Sequence, residues 1–209
     1  MRKDFNVSAR AYSEVKPEGC RFDDQQWAQY VEAANTRGAL FFSDGTGLWN
    51  WVNDIYQRKM LKRPKDEEHK DHVGIILRSR MIVESTRKTG PCVGEFLDKY
   101  TVGEKGQLVI GLPKGGYEAG QVDQGIERLL FYIRFIRNQG GGGYDWLRLV
   151  SLGKLQRYGA DICSILGVKY LAWSKGLEWV EENLGWDPYS DQLLLPNQLL
   201  DQCTILFKG

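Results

Sequence analysis

One cysteine in the chain has the local sequence expected of a nucleophile. Cys163 follows Asp161, a residue type that often caps helices, and it opens an apolar run with helical spacing. At the start of a helix, unpaired N–H groups and the positive end of the helix dipole favour a thiolate. The same N–H groups can stabilise an oxyanion during acyl transfer. The alternative is a buried helical cysteine that packs as a small hydrophobe.

Histidine is scarce, so any histidine chemistry must use one of two neighbouring residues, His69 or His72. His72 opens the run HVGIIL, and at the start of a strand its ring could face a cleft. Its ordinary pKa near 6.5 suits it to accept a thiol proton, although an exposed loop histidine fits the same sequence. His69 lies inside the charged loop LKRPKDEEHKD and is the weaker candidate.

Glu84 ends the strand candidate Met81–Glu84, within a second β-rich run, MIVES, which the polar segment RSR separates from HVGIIL. If the two runs pair as a hairpin, His72 and Glu84 come close across the ladder. A carboxylate there could orient the imidazole and stabilise its charged form. We expect the Cys163 sulfur within about 4 Å of a His72 ring nitrogen. The alternative for Glu84 is a surface glutamate at a strand end. Even as the orienter, Glu84 is expected to be an accessible strand-end residue, so Glu84→Gln should change stability by under about 0.5 kcal/mol.

The elements that position these residues follow from hydrophobic periodicity. Helices are predicted from Asp23 or Asp24 to about Asn35, around Leu48 to Ile55, from Val122 to about Arg137, across YDWLRLVSLGKL, across ICSILGVKYLAW and from Lys175 to Leu184. The predicted strands are HVGIIL, MIVES, CVGEFL, QLVIGL and a final edge strand, CTILF. Strands in the middle of the chain with helices on both sides indicate an α+β fold.

Composition narrows the class of protein. The 209 residues are 42% hydrophobic and 26% charged, with a net charge of +1. These values fit a globular protein and argue against a nucleic-acid partner. No apolar stretch approaches the roughly 18 residues of a membrane span, so no integral membrane segment is expected. The start of the chain lacks a signal peptide, which favours a cytoplasmic or phage-associated protein. Scattered cysteines and two histidines offer no metal-ligand spacing, and we expect neither metal nor cofactor.

A set of short motifs in a fixed order resembles a known family. ALFF, LWNWVNDIY, DHVGI, IVES, GYDW and CSIL follow one another as in the circularly permuted branch of the papain-like amidases. These are bacterial and phage relatives of the NlpC-type cell-wall peptidases and of lecithin:retinol acyltransferase. The resemblance covers roughly residues 38–205. It implies a papain-like, permuted NlpC-type fold, in which a central antiparallel sheet carries flanking helices. Residues 1–37 would form an N-terminal arm and helix, and residues 38–209 the catalytic domain.

The resemblance also implies roles for individual residues. Cys163 would be the nucleophile, His72 the base and Glu84 the third polar residue. Tyr144 would line the site or assist the oxyanion, and Asp145 and Ser164 would contact substrate. Two positions depart from the family pattern at the rim of the site: Ile165 stands where glutamate is frequent, and Asp71 where serine is usual.

The function expected from this reading is that of a cysteine hydrolase. It would cleave an amide, such as a short peptide from a cell wall, or an ester, through an acyl-enzyme intermediate. Two alternatives stay open at this point. One is a lipid acyltransferase or deacylase of the same fold, acting on a lipid-like acyl substrate. The other is a non-catalytic binding or virion structural module.

Overall fold

The computed structural model describes residues 15–44, 70–86, 88–103, 107–140, 143, 163–186 and 194–209. In the helix that begins at Cys163, the description of side chains starts at Ile165. The helices are α1 (Asp24–Ala34), a 3-10 helix (Leu97–Tyr100), α2 (Gln121–Asn138), α3 (Cys163–Lys175), α4 (Leu177–Leu184) and α5 (Pro196–Leu200). The strands are β1 (Leu40–Ser43), β2 (His72–Arg78), β3 (Met81–Thr86), β4 (Gly90–Phe96), β5 (Leu108–Pro113) and β6 (Cys203–Lys208).

Most predicted elements within these ranges are confirmed. Asp23 caps α1 by accepting a hydrogen bond from the Gln26 backbone, and the Gln26 side chain accepts one from the Asp23 backbone. These reciprocal bonds form a capping box, which satisfies backbone donors at the start of the helix. The amphipathic helix predicted from Val122 to about Arg137 is α2. The helices predicted around Leu48 to Ile55 and across YDWLRLVSLGKL lie outside the described residues.

The strands form one antiparallel sheet in the order β4-β3-β2-β1-β5-β6, so the chain is an α+β protein. The predicted hairpin is β2 and β3, and Ile75 pairs with Val83. Its turn holds Ser79 and Arg80 at positive φ, 46° and 63°. That backbone matches the twist of the flanking strands. The last strand, β6, lies at the sheet edge as the sequence predicts.

The sheet separates two hydrophobic cores. On one side, which we call the α2–α3 face, Val73, Ile75 and Leu77 of β2 join a cluster with buried residues of both helices. On the other side, the α1 face, Phe41 and Ile76 pack with residues of α1. Successive side chains of a strand point to opposite sides, so this division follows the alternation along β2.

Helix α3 lies along β2 and runs in the same direction. A Cβ at Gly167 would lie 3.9 Å from the Val73 side chain, so the helix approaches the beginning of β2 there. One turn later, the Tyr170 hydroxyl donates to the Gly38 carbonyl at 3.3 Å, and the Gly38 N–H pairs with the Ile76 carbonyl. The first turn of α3 is therefore directed toward the end of β2 that carries His72.

Gly74 makes room for an aromatic ring between β2 and its neighbours. A Cβ at this position would lie 2.3 Å from the Phe41 ring and 2.7 Å from the Val83 carbonyl oxygen. Because Phe41 is fully buried, the ring has little space into which it could move. Only a residue without a side chain fits here.

We predict that Gly74→Ala lowers the free energy of unfolding by about 1–3 kcal/mol, because the added methyl group overpacks the core. Urea denaturation measures this loss. Gly143→Ala is the matched control, since a Cβ there meets no heavy atom within 4 Å and φ is not positive. The control should be neutral or slightly stabilising. Equal stability of the two variants would contradict the packing described here.

Candidate active site

The Glu84 carboxylate is the centre of a polar cluster on the α1 face. Its side chain is fully buried. His72 Nε2 lies 2.8 Å from Glu84 Oε2, and the Tyr100 hydroxyl donates to the same oxygen at 2.6 Å. The Lys99 ammonium group binds the other oxygen, Oε1. Both carboxylate oxygens therefore have partners, which a buried charge requires.

Two structural units bring this cluster together. The β2–β3 hairpin sets His72 and Glu84 on the same side of the sheet, as the hairpin prediction requires, and this proximity is confirmed. The 3-10 helix that follows β4 supplies Lys99 and Tyr100. It is attached to the hairpin turn, because the Leu97 N–H donates to the Arg80 carbonyl at 2.9 Å.

Asp98 fixes the orientation of the 3-10 helix from its other side. It accepts a hydrogen bond from the Tyr30 hydroxyl of α1 at 2.6 Å, and Arg80 Nε lies 3.2 Å from the same oxygen. Burial and the Asp98 carboxylate raise the pKa of Tyr30 above its ordinary value, so this phenol keeps its proton and remains a donor. The helix that carries Lys99 and Tyr100 is thus held by α1 and by the hairpin turn.

The partners of Glu84 outweigh the cost of its burial. Burial alone raises the pKa of a carboxyl group, whereas hydrogen bonds and charge from His72, with further hydrogen bonds from Lys99 and Tyr100, lower it. The net result is a Glu84 pKa of about 2. Glu84 is consequently ionised at any pH near neutrality and can act only as a hydrogen-bond acceptor.

This charge state determines which His72 nitrogen can act as a base. Because the ionised Glu84 has no proton to donate, Nε2 of His72 must carry the hydrogen in their 2.8 Å contact. In the neutral ring the other nitrogen, Nδ1, is then the one without a proton. Nδ1 is therefore the nitrogen of the neutral His72 ring that can accept a proton.

Aromatic rings restrict the orientation of the His72 ring. Phe41 and Tyr100 have ring centroids 5.8 Å and 5.9 Å from that of His72. They also contact one another at 5.3 Å. The imidazole is held by these two neighbouring rings and by the hydrogen bond to Glu84, while its side chain keeps 17% exposure. The alternative of an exposed loop histidine is wrong.

A buried ion pair holds the chain just before His72. Lys70 Nζ lies 2.8 Å from Asp44 Oδ1, at the end of β1, and also donates to the Gln107 carbonyl. The Lys70 backbone N–H donates to the Asn197 side chain of α5 at 3.1 Å. The Asp71 N–H pairs with the Ser43 carbonyl at 3.2 Å. These contacts fix the beginning of β2 and therefore the backbone position of His72.

The predicted nucleophile is the first residue of α3, so the predicted helix start is confirmed. The predicted substrate-contact residues Tyr144 and Asp145 lie outside the described residues, as do the Cys163 and Ser164 side chains. His72 belongs to the α1 face, whereas α3 packs on the opposite face. A residue at the start of α3 can thus approach His72 only around the end of β2.

The three remaining cysteines have different surroundings. Cys92 pairs with Glu84 across the β3–β4 ladder, and burial raises the pKa of its thiol. Burial also raises the pKa of Cys203, to about 12, and its sulfur donates to the Leu199 carbonyl. Cys20 is half-buried at an isolated bridge with Val102. Cys92 and Cys203 are therefore poor nucleophiles at neutral pH.

The interpretation of Glu84 as an accessible strand-end residue is wrong. Strand β3 continues to Thr86, and the Glu84 side chain is covered by the hairpin and the 3-10 helix. Lys99 and Tyr100 are not predicted from the sequence, because they lie in a short irregular segment without periodicity. The available signal was a Lys-Tyr pair three residues after the end of β4, the strand that pairs with the glutamate-bearing one.

Comparisons of this chain with known protein families, curated proteins and solved structures find no match. Across the described part of the chain, no group of three or more histidine, cysteine, aspartate or glutamate residues could hold a metal ion. Nor does any helix in those ranges have the length and apolar character of a membrane span.

We predict that Glu84→Gln lowers the free energy of unfolding by roughly 2–3 kcal/mol at pH 7, because the charge and its hydrogen bonds with its three partners are lost. The folded-state pKa of about 2 is below the ordinary 4.5, so this stability is present above pH 4.5. The difference from the native chain should shrink as pH falls from about 4.5 toward 2. Denaturation curves across this range measure it.

Glu95→Gln is the matched control for this change. Glu95 also contacts Lys99, at 3.5 Å, but its side chain is 51% exposed. An exposed pair of this kind contributes under about 1 kcal/mol. If the two variants lose equal stability, or if the Glu84 effect does not depend on pH, the buried carboxylate is not ionised as described.

Proposed function

We propose that this chain is a cysteine hydrolase of permuted papain-like fold, which cleaves an amide or ester through an acyl-enzyme. The observation that carries the proposal is the contact between His72 Nε2 and the buried Glu84 carboxylate. An imidazole oriented by a carboxylate on a neighbouring strand is the base-and-orienter part of a catalytic triad. Cys163 is assigned as the nucleophile.

The direction of α3 along β2, rather than the face on which it packs, supports this assignment. Gly167 lies against Val73, the residue after His72, and Cys163 precedes Gly167 by four positions on the same side of the helix. The helix start is therefore directed toward the end of β2 where Nδ1 of His72 is the basic nitrogen. The mechanism requires the Cys163 sulfur within about 4 Å of that nitrogen.

The proposed reaction has two steps. His72 Nδ1 takes the thiol proton, and the Cys163 sulfur attacks the carbonyl carbon of the substrate. N–H groups in the first turn of α3 hold the resulting oxyanion. The C–N or C–O bond then breaks, and the leaving group takes the proton from Nδ1. In the second step water attacks the thioester, which releases the acid and restores the thiol.

Each partner of Glu84 has a separate part in this scheme. Glu84 keeps Nε2 protonated and stabilises the imidazolium that forms when Nδ1 accepts a proton. Lys99 and Tyr100 hold Glu84 in place and keep its pKa low, so it does not compete with Nδ1 for the thiol proton. By resemblance, Tyr144, Asp145 and Ser164 are proposed to contact substrate.

We predict that iodoacetamide alkylates Cys163 faster than Cys20, Cys92 or Cys203 at pH 7, because Cys163 combines a helix start with a base. Mass spectrometry of peptides after short exposure reads the order of labelling. His72→Ala should slow labelling of Cys163 by about tenfold or more without changing the other three. Labelling in denaturant is the control, since all four thiols should then react alike. Equal labelling of the folded chain, or an unreactive Cys163, would favour a non-catalytic module.

We further predict that Cys163→Ala abolishes turnover of an activated ester, whereas Glu84→Gln lowers kcat by about tenfold to a hundredfold. The amide still orients the ring but stabilises its cation less well. Assays must run below the melting temperature of Glu84→Gln, and Glu95→Gln should keep native turnover. Unchanged turnover in folded Glu84→Gln would leave a Cys–His dyad. Transfer of the acyl group to an added alcohol rather than to water would identify an acyltransferase.

A further inference from the structure

A cavity lies far from the polar cluster, between α2 and the turn end of the β2–β3 hairpin. Its volume is about 580 Å³, within the range of small-molecule sites. Leu77 and Arg78, at the end of β2, contribute to its lining. His72 begins the same strand, so at about 3.3 Å per residue the two sites are roughly 20 Å apart. Leu77 also faces the α2–α3 side of the sheet, opposite to Glu84.

The floor of this cavity is apolar. It is formed by side chains from the ends of two strands, from the edge strand β4 and from one side of α2. The apolar lining residues are Leu77, Met81, Val93, Ile126, Leu130 and Ile133. On α2 these positions recur at intervals of three and four, so they form one stripe of the helix.

The rim of the cavity is strongly positive. Four arginines line it: Arg37, Arg78, Arg134 and Arg137. Among the lining residues that the structure describes, none is acidic, and Asn138 is the remaining polar one. Arg37 pairs with Asp123 at 2.7 Å. The other three are exposed, and no ion pair joins them to an acidic residue of the described ranges.

The two properties together specify the chemistry of a ligand. An apolar floor stabilises a hydrocarbon chain through burial, and guanidinium groups bind carboxylates or phosphates by paired hydrogen bonds. We propose that this cavity binds a single-chain amphiphile whose anionic head group, a carboxylate or phosphate, contacts Arg134 and Arg137. The site does not depend on the proposed hydrolase activity, and no step of that reaction uses its residues.

Titration calorimetry with monomeric decanoate and decyl phosphate tests the proposal on the full chain. Both anions should bind, and decyltrimethylammonium, with the same chain and a positive head, should not. The tighter of the two anions identifies the head group. Failure of both anions to bind at concentrations up to about 1 mM, or equal binding of the cation, would overturn the proposal.

Variants locate the binding in this cavity. Arg134→Gln with Arg137→Gln should weaken anion binding at least about tenfold, because charged hydrogen bonds are lost. Arg128→Gln is the matched control, since Arg128 is an exposed arginine of α2 that does not line this cavity. If the control weakens binding as much as the double variant, the ligand is bound by general charge and the proposal fails.

A third variant tests the floor rather than the rim. Val93→Trp introduces a large ring into the cavity and should weaken both anions at least about tenfold while the arginines remain. Melting curves verify that each variant is folded before its binding is compared.

Sedimentation with phosphatidylglycerol vesicles tests the remaining source of anionic head groups, a lipid membrane. If the chain binds vesicles but not monomeric amphiphiles, and Val93→Trp does not weaken vesicle binding, the proposed cavity site is wrong. The arginines would then belong to a surface that contacts membranes.

Discussion

The burial of the Glu84 charge constrains the rest of this structure. A carboxylate without partners in an apolar interior costs several kcal/mol, so each oxygen must be matched by a donor. Here three donors come from two places in the chain: His72 at the start of β2, and the successive residues Lys99 and Tyr100 of the 3-10 helix. A register slip of one residue between β2 and β3 would turn Glu84 toward the α2–α3 core, where these donors are absent. The carboxylate therefore favours one hairpin register strongly.

The same constraint explains why the 3-10 helix is so well anchored. Lys99 and Tyr100 can compensate Glu84 only if the segment returns over the α1 face after β4. Asp98, between the strand and these two residues, binds Tyr30 of α1 and Arg80 of the hairpin turn. Arg80 is itself buried and its guanidinium lies over the Trp27 ring. The polar contacts of the α1 face thus form a chain from α1 to the proposed orienter.

The sequence predicts the part of this arrangement that depends on local pattern. Two β-rich runs separated by RSR predict the hairpin, and the hairpin brings His72 to Glu84. Burial of Glu84 is not predictable in the same way, because it depends on Lys99 and Tyr100 in a segment whose path is determined by tertiary contacts. Lys70 is a similar case. Its position in the charged segment KDEEHKD is typical of a solvated residue, yet its side chain is buried against Asp44, which follows the neighbouring strand β1. Periodicity identifies elements, whereas the pairing of buried charges depends on how the elements meet.

Successive residues of β2 face opposite sides of the sheet, so this one strand contributes to both the polar cluster and the cavity. His72, Gly74 and Ile76 face α1, and the missing side chain at Gly74 lets Phe41 pack beside His72. The residues between them face α2 and α3, and this side ends at the arginine-rimmed cavity. A substitution at the cavity rim is therefore about 20 Å away from the imidazole and on the other side of the sheet. Effects of well-separated, non-contacting residues on stability generally add. The binding proposed for the cavity and the proton transfer proposed at His72 should accordingly be separable by substitution, because their residues lie at opposite ends and on opposite sides of β2.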